Sequence, residues 1–157
     1  MLGVIYEFLA AIFSKSPLLQ LLRNAVTFNE DMKILIIDDD QMLIDVWSLV
    51  LKKEGYEVIT AGSGREGVEM AKAQQPNFIL LDQIMPDIKG NEVLQLIKQD
   101  PLTSHILVAM ASNYSENDLM QQAIQAGAVD YILKYQIDPQ DLVSKIKTLT
   151  QAPQQAN

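Results

Sequence analysis

The chain has 157 residues, enough for one domain that buries its own core, and its 48% hydrophobic and 20% charged residues exclude a disordered polymer. A formal net charge of −8 argues against direct nucleic-acid binding, which relies on clustered Lys and Arg. The absence of Cys excludes disulfides and thiolate metal sites and suits a reducing cytoplasm, and a single histidine, His105, excludes a multi-histidine metal centre.

Residues 1–31 differ in character from the remainder. Residues 2–13 are almost wholly apolar, yet too few to span a bilayer, and they lack the basic start and cleavage site of a secretory signal. Ser16 and Pro17 open a second helical stretch, with Leu18, Leu19, Leu22, Ala25 and Val26 on one face. The pattern predicts an N-terminal helical extension, an arm whose apolar surface serves self-association or docking. A disordered arm, or a true start at Met32, is the competing expectation.

From Met32 the pattern becomes regular. An apolar run at residues 34–37 predicts the first strand, followed by a helix over 41–53 and a turn at Gly55. Residues 57–60 make the second strand and 65–74 the second helix. The third strand, 78–81, leads through a loop from Pro86 to Gly90 into a helix ending near Gln99, where Asp100-Pro101 reads as a stop. A fourth strand at 106–111 precedes a helix over 115–126, and a fifth at 129–133 precedes a closing helix over 138–149. The domain is thus placed at residues 32–150, with a flexible tail at 151–157. Five βα units with uninterrupted apolar strands predict an α/β fold, a five-stranded parallel sheet covered on both faces.

In such sheets chemistry gathers at the carboxyl edge of the strands. The first strand is followed by Asp38, Asp39 and Asp40, the third by Asp82, the fourth by Ser112 and the fifth by Lys134. Carboxylates converging at one edge repel each other unless a cation sits among them, and an oxygen-only donor set selects a hard ion such as Mg²⁺. A carboxylate can also act as nucleophile toward a phosphoryl group whose charge is neutralised, here by the metal and Lys134, with Ser112 donating to a phosphoryl oxygen.

The segments ILIIDDD (34–40), FILLDQIMPDIKG (78–90) and AGAVDYILK (126–134), together with the Ser112 strand end, resemble bacterial response-regulator receiver domains of the single-domain, chemotaxis-regulator-like type. The resemblance covers roughly residues 32–150. It implies a doubly wound, flavodoxin-like sheet of strand order 2-1-3-4-5 and a role in two-component phosphorelay signalling rather than as an enzyme. By that resemblance Asp82 accepts a phosphoryl group from a sensor histidine kinase or phosphotransfer protein. Asp38 and Asp39 form the acidic pair, Asp39 binding Mg²⁺ directly and Asp38 through water, with Asp82 and the Ile84 backbone carbonyl completing the metal set. Ser112 and Tyr131 match the switch pair, and Lys134 the phosphoryl-binding lysine. The run of three acids leaves Asp39 and Asp40 as an alternative pair. Too little chain follows Lys134 for an output domain, so the signal is expected to pass by contact with a downstream protein.

Two positions depart from the family pattern. Lys134 is followed by Tyr135 where Pro is usual, and the residue after the switch hydroxyl is Asn113 where a small residue is usual. A cis bond before Tyr would cost about 3 kcal/mol, so a trans bond and an altered loop are expected.

Other features carry less. Gly62, Gly64 and Gly67 fit the dinucleotide fingerprint, but they follow the second strand and face acids, so a helix-opening turn is the expectation. His105 reads as a strand-start residue, and Asp87 and Lys89 as solvated loop charges. Two alternatives remain: a haloacid-dehalogenase-like phosphatase using Asp38 and Asp40, and a receiver-shaped interaction module that is never phosphorylated.

Overall fold

The computed structural model describes residues 32–151; the arm expected over residues 1–31 and the tail at 152–157 lie outside the described residues. Five strands alternate with five helices: β1 (Lys33–Ile37), α1 (Gln41–Lys53), β2 (Glu57–Ala61), α2 (Gly64–Gln74), β3 (Phe78–Asp82), α3 (Gly90–Gln99), β4 (Leu107–Ser112), α4 (Asn117–Gln125), β5 (Asp130–Leu133) and α5 (Pro139–Gln151). All strand pairings are parallel, in the order β2-β1-β3-β4-β5. This is the doubly wound, flavodoxin-like arrangement.

Alternate strand residues supply two cores. Leu35, Ile37, Ile79, Leu81, Val108 and Met110 face α2, α3 and α4 through Val68, Ala71, Val93, Leu94, Ile97 and Ala123. Ile34, Ile36, Phe78, Leu80 and Ala109 face α1 and α5 through Ile44, Trp47, Leu51, Leu142, Val143 and Ile146. Every residue of β3 is buried, which explains its unbroken apolar run. Burying each such Ile or Leu contributes about 2 kcal/mol, so the sheet is a rigid platform for whatever its edge carries.

The register decides what meets at that edge. Ile37 pairs with Leu81, so Asp38 leaves β1 beside Asp82 at the end of β3. Ser112 pairs with Leu133, so Lys134 follows one residue beyond. Two of the three fingerprint glycines have a packing role. A Cβ on Gly67 would come within 2.5 Å of the Ile37 side chain, and one on Gly64 within 2.6 Å of Ile88. They bring α2 close to the sheet and the neighbouring loop.

Most element bounds differ from the sequence reading by a single residue at an end, and two differ by more. The fourth helix opens at Asn117, not at residue 115, because Glu116 keeps extended backbone angles and caps it without a side-chain bond. Gln151, expected in the tail, closes α5. Every peptide bond among the described residues is trans, including Lys134–Tyr135, and Lys134–Gln136 form a single 3₁₀ turn. No helix among the described residues is long and apolar enough to cross a membrane.

Candidate functional site at the carboxyl edge of the sheet

Lys134 reaches back from the end of β5 between two carboxylates. Its Nζ lies 2.5 Å from Asp38 Oδ2 and 2.7 Å from Asp82 Oδ1. All three groups are buried, with Asp38 1% and Asp82 5% exposed. The other oxygen of each carboxylate takes a backbone amide: Asp38 Oδ1 accepts from Asp40 N at 3.0 Å, and Asp82 Oδ2 from Ile84 N at 3.1 Å. Each acid is therefore gripped on both sides.

Asp39 is exposed and joins this pair. Asp38, Asp39 and Asp82 each offer a carboxylate oxygen, and these atoms lie within 4.8 Å of one another. Three carboxylates beside one ammonium leave two formal negative charges at the edge. Burial pushes the Asp82 carboxyl up from its ordinary range; Lys134 pulls it down, Asp38 adds to the rise and the Ile84 amide opposes it. Burial alone would lower the Lys134 ammonium, but its bonds to Asp38 and Asp82 outweigh that and hold it raised. Burial thus raises the aspartate, while two neighbouring anions raise the lysine, because Lys134 pairs with both carboxylates and Asp82 has only a share of one cation. An oxygen-only cluster with excess negative charge fits a hard divalent cation.

Asp40 does not belong to this group. Its side chain caps α1 by accepting the Leu43 amide at 3.1 Å. Of the two acidic pairs left open by the sequence, the geometry gathers Asp38 and Asp39.

Ser112 is fully buried at the end of β4, and its Oγ accepts the Tyr114 amide at 3.0 Å. Tyr131, on β5, donates its hydroxyl to the Tyr114 carbonyl at 3.1 Å. Both residues thus grip Tyr114 from opposite ends of its backbone. Burial raises the Tyr131 phenol; a bond with Ser112 opposes this, and the charges of Asp82 and Glu116 add to it. Exposed side chains follow three of the strand ends: Ile84 (46%) after β3, Tyr114 (50%) after β4 and Tyr135 (59%) after β5. His105 is exposed.

Asp87 is exposed, as expected of a loop acid, and it also makes bonds that its local sequence does not predict. It is no free loop charge: Oδ1 accepts from Gly64 N at 3.0 Å and Oδ2 from Arg65 N at 2.8 Å, at the start of α2. These bonds, with that to Arg65 first, hold its carboxyl down at about 2. The sequence hides the contact because its partners lie 23 and 22 residues earlier, on another element.

The chain belongs to the response regulator receiver domain family, whose model matches residues 34–147. Among solved structures, it resembles the CheY-like response regulator receiver domain protein of Methanospirillum hungatei JF-1, with 33% identity and a TM-score of 0.71, over 76% of this chain and 93% of that one. Among curated proteins, it is 30% identical to the alkaline phosphatase synthesis transcriptional regulatory protein PhoP of Bacillus subtilis, over 74% of this chain and 48% of that protein. It is 33% identical to the DNA-binding dual master transcriptional regulator RpaA of Synechocystis, over 74% of this chain and 48% of that protein. The chain therefore spans about half the length of these curated relatives.

Proposed function

We propose that this protein is a phosphoacceptor response regulator that takes a phosphoryl group on Asp82 from a sensor histidine kinase or phosphotransfer protein and signals by protein contact. The observation that carries this reading is the bridge of Lys134 between Asp38 and Asp82, with Asp39 beside them. In the transfer, an Asp82 oxygen forms the new P–O bond while the P–N bond to the donor histidine breaks, and the imidazole leaves with the bonding electrons. Lys134 then pairs with a phosphoryl oxygen, and the Ser112 hydroxyl turns from Tyr114 to donate to another. Tyr131 follows that loop because its hydroxyl holds the Tyr114 carbonyl.

Asp38, Asp39, Asp82 and the Ile84 carbonyl would hold Mg²⁺, Asp38 through water; when bound, that ion neutralises charge on the incoming phosphoryl group. The excess negative charge of the cluster supports this assignment. Residues 1–31 are proposed to mediate self-association, and a cytoplasmic setting without direct nucleic-acid contact by this domain fits the absence of Cys and the net charge of −8. A haloacid-dehalogenase-like phosphatase would need the Asp40 carboxylate as an acid, whereas it caps α1.

Acetyl phosphate with Mg²⁺ is expected to phosphorylate the protein once, read by intact mass, and Asp82→Asn to abolish the product. Undiminished labelling of that variant would refute the assignment.

A further inference from the structure

The loop that leaves Asp82, residues 83–89, is fastened at three points. Ile84 N donates to Asp82 Oδ2 at 3.1 Å, Gly90 N donates to Gln83 O at 2.9 Å, and Asp87 clasps the amides of Gly64 and Arg65. The first two points lie at the strand and helix that bound the loop. The third ties its middle to the backbone of α2, in addition to the packing of Gly64 against Met85 and Ile88. A helix start leaves its first amides without intrahelical partners. Here Ser63 Oγ takes Glu66 N at 3.3 Å and Ser63 O takes Gly67 N at 3.0 Å, while Gly64 N and Arg65 N are left to Asp87. Asp87 therefore completes the cap from another element, and its charge is favoured there by the helix dipole.

Packing leaves the loop little freedom. A Cβ on Gly64 would meet Ile88 at 2.6 Å, and a Cβ on Gly90 would meet the Asp82 carbonyl oxygen at 2.2 Å. The loop is packed on α2 through Met85 and Ile88, on either side of Asp87, and its start at Asp82 and Gln83 is pressed on Gly90.

We infer that Asp87 is a positioning residue for the phosphoacceptor site: by locking loop 83–89 to α2 it fixes Ile84, whose amide orients Asp82 and whose carbonyl serves the metal. The metal part of this inference rests on the proposed function. The orientation of Asp82 by Ile84 N does not.

The test compares Asp87→Ala and the milder Asp87→Asn with Ser63→Ala, which removes the other side-chain cap of α2 without touching the loop. Mg²⁺ affinity is measured by titration calorimetry on unphosphorylated protein, and exchange of the Ile84 amide by NMR without metal. Asp87→Ala is expected to weaken Mg²⁺ by about 10-fold, the low end for a lost supporting contact around a metal site. Asp87→Asn should fall between it and the parent, and the Ile84 amide should exchange faster in both. Ser63→Ala should lower the melting temperature while leaving Mg²⁺ affinity and Ile84 exchange unchanged. Parent-like affinity and exchange in both Asp87 variants, or equal losses in Ser63→Ala, would overturn the inference. A parent protein that binds no Mg²⁺ would instead overturn the proposed metal role, and Ile84 exchange would still decide the role of Asp87.

Discussion

Asp40 accepts the Leu43 amide at 3.1 Å, which commits the third acid of the run to holding the start of α1. Asp39→Ala and Asp40→Ala should therefore fail differently. Losing the cap costs about 1 kcal/mol, so Asp40→Ala should melt lower yet keep its stabilisation by Mg²⁺. Asp39→Ala should melt near the parent without metal and lose much of the Mg²⁺ gain, which at 100 times Kd amounts to about 2.7 kcal/mol. Thermal melts with and without Mg²⁺ check both. The reverse pattern would move the acidic pair by one residue.

The raised Asp82 carboxyl gives a pH signature. Its ordinary value is 3.8, and the folded value lies above that. As pH rises through this window, the unfolded chain releases the proton first, so the native state loses stability. Above the folded value the loss is complete; below 3.8 it is absent. Asp82→Asn should therefore melt higher than the parent at pH 7 in chelator, with the gain shrinking to nothing in acid. A gain that is constant with pH would assign it to packing instead.

Much of this was legible in the sequence because parallel strands buried on both faces must read as unbroken apolar runs, as residues 78–81 do. The edge chemistry was legible too, since whatever follows each such run must emerge at the same edge. What stayed hidden depended on contacts between distant elements. Asp40 sits directly before the helix predicted from residue 41, where a cap is read locally, but nothing local shows Asp39 joining Asp82 on another strand. Asp87 looks like any loop acid until α2 is folded beside it. The start of α4 lies two residues beyond the predicted one because Tyr114 is held from β4 and β5, which keeps the chain extended before Asn117.

Ile84, Asn113 and Tyr114 are exposed where the chain leaves β3 and β4, at the edge that carries the acids, and the Tyr114 backbone is held by Ser112 and Tyr131. We expect these side chains to restrict attack by water, so that the doubly substituted Asn113→Ala, Tyr114→Ala protein loses its phosphoryl group faster. Tyr131→Phe, which removes one hydrogen bond of about 1 kcal/mol, should speed the loss less, by loosening the loop alone. Decay of the phosphorylated mass after removal of acetyl phosphate measures all three. Identical decay rates would exclude shielding.

A chain beginning at Met32 contains every described strand and both cores. It should fold and be phosphorylated as the full chain is, yet scatter light as a smaller and more uniform species. An insoluble or unfolded product would show that residues 1–31 belong to the core.

The strand order carries a consequence for how the domain assembles. β1 and β3 are sheet neighbours, so Asp38 and Asp82 come together once the first half of the sheet is built. Their cation arrives only with β5, two strands further out. A half-formed sheet thus holds two like charges with no counter-ion near neutral pH, and docking of the last strand relieves them. Lys134 thereby makes the early half depend on the late half, which favours all-or-none folding over a stable N-terminal intermediate.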